Sequence, residues 1–83
     1  MRLDKFLKVS RIIKRRTVAN EACDKSYVTA NGRAVKASYE VKLGDELCVS
    51  FGNRSVKLKV LSLNEHAGKA EAQSMYEIIQ DGN

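Results

Sequence analysis

From Leu3 the chain sets its hydrophobes at helical spacing: Leu3, Phe6 and Leu7 fall at i, i+3 and i+4, and Ile13 continues the stripe. Arg2, Lys5, Lys8 and Arg11 recur every third residue on the opposite side. The pattern predicts an amphipathic helix from Leu3 to about Ile13 with a cationic outer face. Asp4 stands in its first turn, where a carboxylate complements the helix dipole and can pair with Lys8 at i+4. A second helix is predicted from about Thr17, as N-cap, to Lys25. Its stripe (Val18, Ala19, Ala22, Cys23) is narrow and built of small side chains, so it can approach another element closely.

The period then changes to two. Tyr27-Val28-Thr29-Ala30, Asn31-Gly32 and Arg33-Ala34-Val35 form a hairpin pattern, because both central residues of its tight turn need positive φ. A connection leads to Leu43-Gly44-Asp45. Beyond it Leu47, Val49 and Phe51 alternate with polar neighbours, Gly52-Asn53 marks a turn, and Val56, Leu58 and Val60 return. Both phenylalanines, Phe6 and Phe51, fall on predicted core faces. In the tail, Ala72, Met75, Tyr76 and Ile79 stand at helical spacing and predict a short helix over Lys69 to Ile79. The expected fold is therefore α+β: two N-terminal helices packed on a small antiparallel sheet of about four strands, with a short C-terminal helix. No proline, repeat or low-complexity tract interrupts the 83 residues, and one domain is expected at this length.

Composition adds exclusions. With 43% hydrophobic and 30% charged residues the chain is too apolar for disorder. No run approaches the roughly eighteen apolar residues of a membrane span, and MRLDKFLKVSR lacks the apolar core of a secretory signal, so a cytoplasmic protein is expected. Cys23 and Cys48 stand far apart with a single histidine, His66, which leaves no zinc-ligand set. Each cysteine falls in an apolar pattern that predicts a buried reduced thiol, and His66 sits in a polar stretch that predicts a solvated loop. Paired carboxylates in an apolar setting, a Ser/His/Asp set and a phosphate-cradling glycine loop are all missing, so neither catalysis nor a cofactor or small-molecule substrate is expected.

Charge is segregated rather than mixed. Residues 1–42 hold eleven Lys/Arg against four acids, a net +7, and residues 43–83 hold four against six, a net −2. Such asymmetry is the footprint of a polyanion-binding face. The densest run, Lys14-Arg15-Arg16, opens the second predicted helix, where unpaired N–H groups and the positive dipole end already favour phosphate. With Arg2, Lys5, Lys8 and Arg11 on the first helix and Arg33 on the hairpin, these three make the candidate RNA-binding set. Three tyrosines (27, 39 and 76) are too few and too scattered for a base-stacking strip, which favours recognition of a folded A-form RNA by backbone charge and shape.

The order RLDKFL (2–7), RRTVANEAC (15–23), YVTANGR (27–33) and LGDEL (43–47) resembles the S-four-type RNA-binding domain, with its αL motif of two helices and a hairpin. On that resemblance residues 1–63 form the domain with a strand extension, and 64–83 a short tail with a helix. Three positions depart from the family pattern: Arg15 replaces a capping Ser or Thr, Ser26 a helix-ending glycine, and Ala30 a β-branched residue. The runs MRLDKFLKVSRIIKRRT, KASYEVKLGDEL and MYEII are most similar to compact, stand-alone family members that work on large ribosomal subunits carrying stalled nascent chains. The resemblance implies contact with rRNA and peptidyl-tRNA, and help to a quality-control partner protein that tags the stalled chain with alanine. Arg2 and Arg16 would be the main RNA contacts, supported by Arg15, Lys5 and Lys8. A regulator or assembly factor on another structured RNA is the alternative.

Overall fold

Helix α1 (Leu3–Val9) ends well before Ile13 in the computed structural model, which describes residues 1–82. Ser10 terminates it: its hydroxyl donates to the Leu7 carbonyl at 3.3 Å. Arg11 then turns into the left-handed region (φ 64°), donating its N–H to the Lys8 carbonyl. Ile13 folds back so that its own N–H meets Leu7, and its side chain is buried by this turn rather than by a helical stripe. The connection at 35–45 wraps the start of α1. Leu3 and Asp4 donate their N–H groups to the carbonyls of Tyr39 and Ala37 at 2.8 and 3.2 Å, so the first helix begins plugged.

Helix α2 (Arg16–Asp24) buries Ala19 and Cys23 against the core, while Val18, expected on that stripe, is 48% exposed. Its C-terminus is a Schellman closure: Ser26 N–H meets the Cys23 carbonyl and Tyr27 N–H the Ala22 carbonyl. Ser26 occupies the left-handed position there, at φ 62°, where glycine carries no Cβ penalty. Ser26→Gly is therefore expected to stabilise the fold by about 0.5–1 kcal/mol, and Ser26→Ala is not. Thermal denaturation followed by circular dichroism checks this, as a rise in Tm of roughly 2–6 °C.

The sheet is antiparallel, in the order β2-β1-β3-β4-β5. Strands β1 (Val28–Ala30) and β2 (Arg33–Ala34) form the hairpin, with Asn31 at φ 53° and Gly32 at φ 85° as its sequence requires. Strands β3 (Glu46–Phe51) and β4 (Arg54–Val60) form the second. Val28, Ala30, Leu47, Val49, Leu58 and Val60 face inward and pack with Leu3, Phe6 and Leu7. Two expectations fail on this sheet. Cys48 lies between two inward residues, so it points to the other face beside Thr29 and Lys57 and is only half-buried. Phe51 shares the inward parity but ends its strand at the turn, where it is 41% exposed.

The tail also differs from its helical reading. Helix α3 spans Lys69–Ala72 only, and a 3₁₀ turn covers Gln73–Met75. Ala72 and Met75 are buried there, as helical spacing implied. From Tyr76 the chain becomes β5 (Tyr76–Gly82), a fifth strand pairing along β4. The aromatic and β-branched run Tyr-Glu-Ile-Ile has the propensity for this, and the unpaired edge of β4 supplies the partner. No helix among the described residues is long and apolar enough to cross a membrane.

One buried carboxylate joins the loops. Asp45 accepts from the Tyr39 hydroxyl at 2.7 Å, the Lys42 N–H at 3.0 Å and the Asn31 amide at 3.1 Å. Asn31 in turn accepts the Glu46 N–H at 3.0 Å. The Asn-Gly turn and the Gly-Asp turn are thus one structure, stapled across the sheet end.

Candidate nucleic-acid interface

Asp4, read from sequence as a partner for Lys8, is instead the buried centre of the basic face, 2% exposed. Its Oδ1 accepts the Lys5 N–H at 2.8 Å and Arg2 Nε at 3.2 Å. Its Oδ2 accepts Arg2 Nη2 at 3.4 Å and Asn20 Nδ2 at 3.3 Å, with Arg16 Nε at 3.5 Å. Burial pushes this carboxyl up, but the hydrogen bonds from Asn20 and Arg2, the Arg16 charge and the Lys5 N–H outweigh it and hold the pKa below its ordinary value. One carboxylate therefore orients two guanidiniums from two helices.

Both guanidiniums stay open to solvent, with side-chain exposures of 51% for Arg2 and 48% for Arg16. A guanidinium carries five N–H donors, and few of them are used on Asp4. The rest belong to half-exposed side chains and are open to an incoming anion, and two guanidiniums against one carboxylate leave net positive charge. This suits the fork geometry with which arginine grips a phosphate.

Arg16 is also the first residue of α2, behind Arg15 in the cap position. Arg15 offers no side-chain acceptor, and no acidic residue occupies the first turn. Thr17, expected as the cap, lies inside the helix. Among the described residues no protein acceptor meets the N–H groups of Arg16, Thr17 or Val18. The contrast with α1 is direct: one helix start is filled by backbone carbonyls, the other is open and uncapped, and begins at Arg15 and Arg16. A shallow depression lined by Asp4, Arg16, Thr17, Asn20 and Glu21 marks the opening.

The other candidates divide. Lys5 Nζ lies 3.3 Å from Glu65 Oε1 and ties α1 to the C-terminal loop. Lys8, Arg11 and Lys14 line a separate cleft with His66 and Lys69. Arg33 is exposed on the edge strand β2 and shares neither of these depressions. Cys23, beneath α2, is pushed up to about 11 by burial and by the charges of Asp4 and Asp24, which leaves it an inert packing thiol. Asn20 escaped the sequence reading because its partner lies sixteen residues away. His66 and Lys69 escaped it because only tertiary folding brings the loop against α1.

Residues 1–47 match the S4 domain family. The chain is 52% identical over 81 residues to the RQC P-site tRNA stabilizing factor of Bacillus subtilis, covering 98% of this chain and 94% of that one. It is 50% identical to the factor of the same name from Halalkalibacterium halodurans, again over 98% of this chain and 92% of the relative. Among solved structures it resembles the trimeric heat shock protein 15 of Vibrio cholerae, with TM-score 0.87 and 28% identity, covering 94% of this chain and 80% of that one.

Proposed function

The chain belongs to the S4 domain family, and from that premise we propose that it is a non-catalytic RNA-binding factor of ribosome quality control, acting in the cytoplasm. It binds the large ribosomal subunit when peptidyl-tRNA remains on it, and stabilises that tRNA in the P site. The observation that carries this reading is the Arg2–Asp4–Arg16 cluster at the open start of α2, in a chain about half identical along its length to factors named for this task.

The mechanism follows from the geometry. A backbone phosphate enters the mouth of α2, where free N–H groups and the helix dipole receive it. Arg16 and Arg2 then supply paired N–H donors already aimed by Asp4, so little side-chain entropy is lost on binding. Among the described residues no aromatic side chain lines this depression, so RNA shape and phosphate spacing select the site. In this reading the face touches both rRNA and tRNA. Holding the tRNA in place gives a partner factor time to extend the stalled chain with alanine.

Sucrose-gradient sedimentation of the purified protein tests this. With large subunits carrying peptidyl-tRNA, most protein should co-migrate at low salt and be released steeply as salt rises. Empty subunits should retain much less. Equal retention by both would overturn the tRNA-linked role, and preference for immature particles would favour an assembly factor.

A further inference from the structure

The second basic site is the cleft of about 750 Å³ between the α1–α2 turn and the C-terminal loop, lined by Lys8, Arg11, Lys14, His66 and Lys69. Glu65 also lines it, but Lys5 engages that carboxylate at 3.3 Å and offsets its charge. The cleft shares no residue with the depression at the mouth of α2. Four cations and an imidazole are gathered around this open space.

Arg11 gives this convergence a direction. It is held at φ 64°, a conformation that disfavours any residue with a Cβ. Helix closure alone would be served better by glycine, as at most such positions. Ser26 closes α2 in the same left-handed conformation with no ligand implied, so what points to an anion at Arg11 is the company of its side chain: Lys8, Lys14 and Lys69 line the same cleft. Like charges crowded around a cleft are also mutually repulsive until an anion neutralises them.

We infer that this cleft is a second phosphate-binding site, which takes backbone phosphates of the same structured RNA that enters the α2 mouth. The inference rests on the RNA-binding reading above. It adds His66 and Lys69, from the otherwise acidic C-terminal half, to the RNA-binding surface. Two anchors on one RNA fix its direction across the protein as well as its position, which a single phosphate contact cannot do.

Arg11→Gly separates a structural role from a binding one, because it relieves strain while deleting the cation. Thermal denaturation should show Tm unchanged or raised by about 4 °C. The RNA probe is a twelve-base-pair A-form duplex, whose affinity is measured across a salt series. The slope of log K against log salt should fall by about one with Arg11→Gly, and by about two with Arg11→Gly/Lys69→Ala. On ¹⁵N-labelled protein the duplex should shift the amides of His66 and Lys69 as well as those of Arg16 and Thr17. Shifts confined to the α2 mouth, with an unchanged slope in Arg11→Gly, would overturn the second site and leave the RNA reading intact. A duplex that shifts neither region and binds without salt dependence would overturn both.

Discussion

Arg16→Ala is expected to weaken association with peptidyl-tRNA-bearing large subunits by about 10- to 100-fold while leaving the protein folded. A charge-assisted hydrogen bond to phosphate is worth roughly 1.5–3 kcal/mol, and each factor of ten is about 1.4 kcal/mol. The fold should tolerate the loss. Arg16 is half-exposed and stands 3.5 Å from Asp4, whose carboxylate keeps Arg2, Asn20 and the Lys5 N–H. Its Tm should therefore move by only a few degrees. Arg16→Lys should recover part of the affinity at most, since an ammonium restores charge without the planar fork. A double-mutant cycle with Arg2→Ala adds a sharper result. The two guanidiniums share one carboxylate, so their effects should fail to add, with a coupling of about 0.5–3 kcal/mol. Additive losses would show that Arg2 and Arg16 act on separate phosphates without Asp4 linking them. Undiminished co-sedimentation of folded Arg16→Ala would overturn the site.

How much of this was legible in the sequence depends on the range of the interaction. The Asn31-Gly32 hairpin was legible because a two-residue turn with both φ values positive needs nothing beyond its own residues. The two helices and the alternation of β3 and β4 were legible because one face of each is buried. The open start of α2 was legible in part, since Arg15 visibly replaces a capping side chain. The end of α1 was not: Ile13 fits a helical stripe and is buried, yet by a turn that Arg11 makes at a conformation its residue type does not advertise. The tail misled for a related reason. Ala72, Met75, Tyr76 and Ile79 satisfy the helical period, but the free edge of β4 decides the outcome from Tyr76 onward. Asp4 shows the same limit at the site. Its neighbours in sequence suggested Lys8, and its burial under Arg16 depends on how two helices cross.

Asp45→Ala is expected to destabilise the fold by about 2–3 kcal/mol. The carboxylate is 8% exposed and accepts three hydrogen bonds, so its loss removes at once the shared acceptor of the Tyr39 hydroxyl, the Lys42 N–H and the Asn31 amide. For a domain of this size that corresponds to a fall in Tm of roughly 10–20 °C. Asp45→Asn, which keeps the shape without the charge, should fall between. The pH dependence identifies the group. Burial pushes the Asp45 carboxyl up, but the Lys42 N–H, the Tyr39 hydroxyl, the Asn31 amide and the Lys42 charge together hold it below its ordinary value. A carboxyl depressed by folding adds stability above its unfolded pKa of about 3.9, and that stability is lost as pH falls through the folded value. Wild type should thus be flat from neutrality to about pH 5 and weaken steeply below pH 4, and Asp45→Ala should show a shallower acid limb. Tyr39 gives the reciprocal signal. Its phenol is raised by the hydrogen bond to Asp45, by burial and by the Asp45 charge, so its absorbance titration should move back toward the ordinary value in the variant. The effect should reach the proposed RNA site, because the Tyr39 carbonyl receives the Leu3 N–H that seats α1 next to Arg2 and Asp4. RNA affinity of the folded fraction should therefore fall, although Asp45 lines neither basic depression. Full affinity with lowered Tm would mean that the staple holds the sheet end alone, and that α1 is seated by its apolar face.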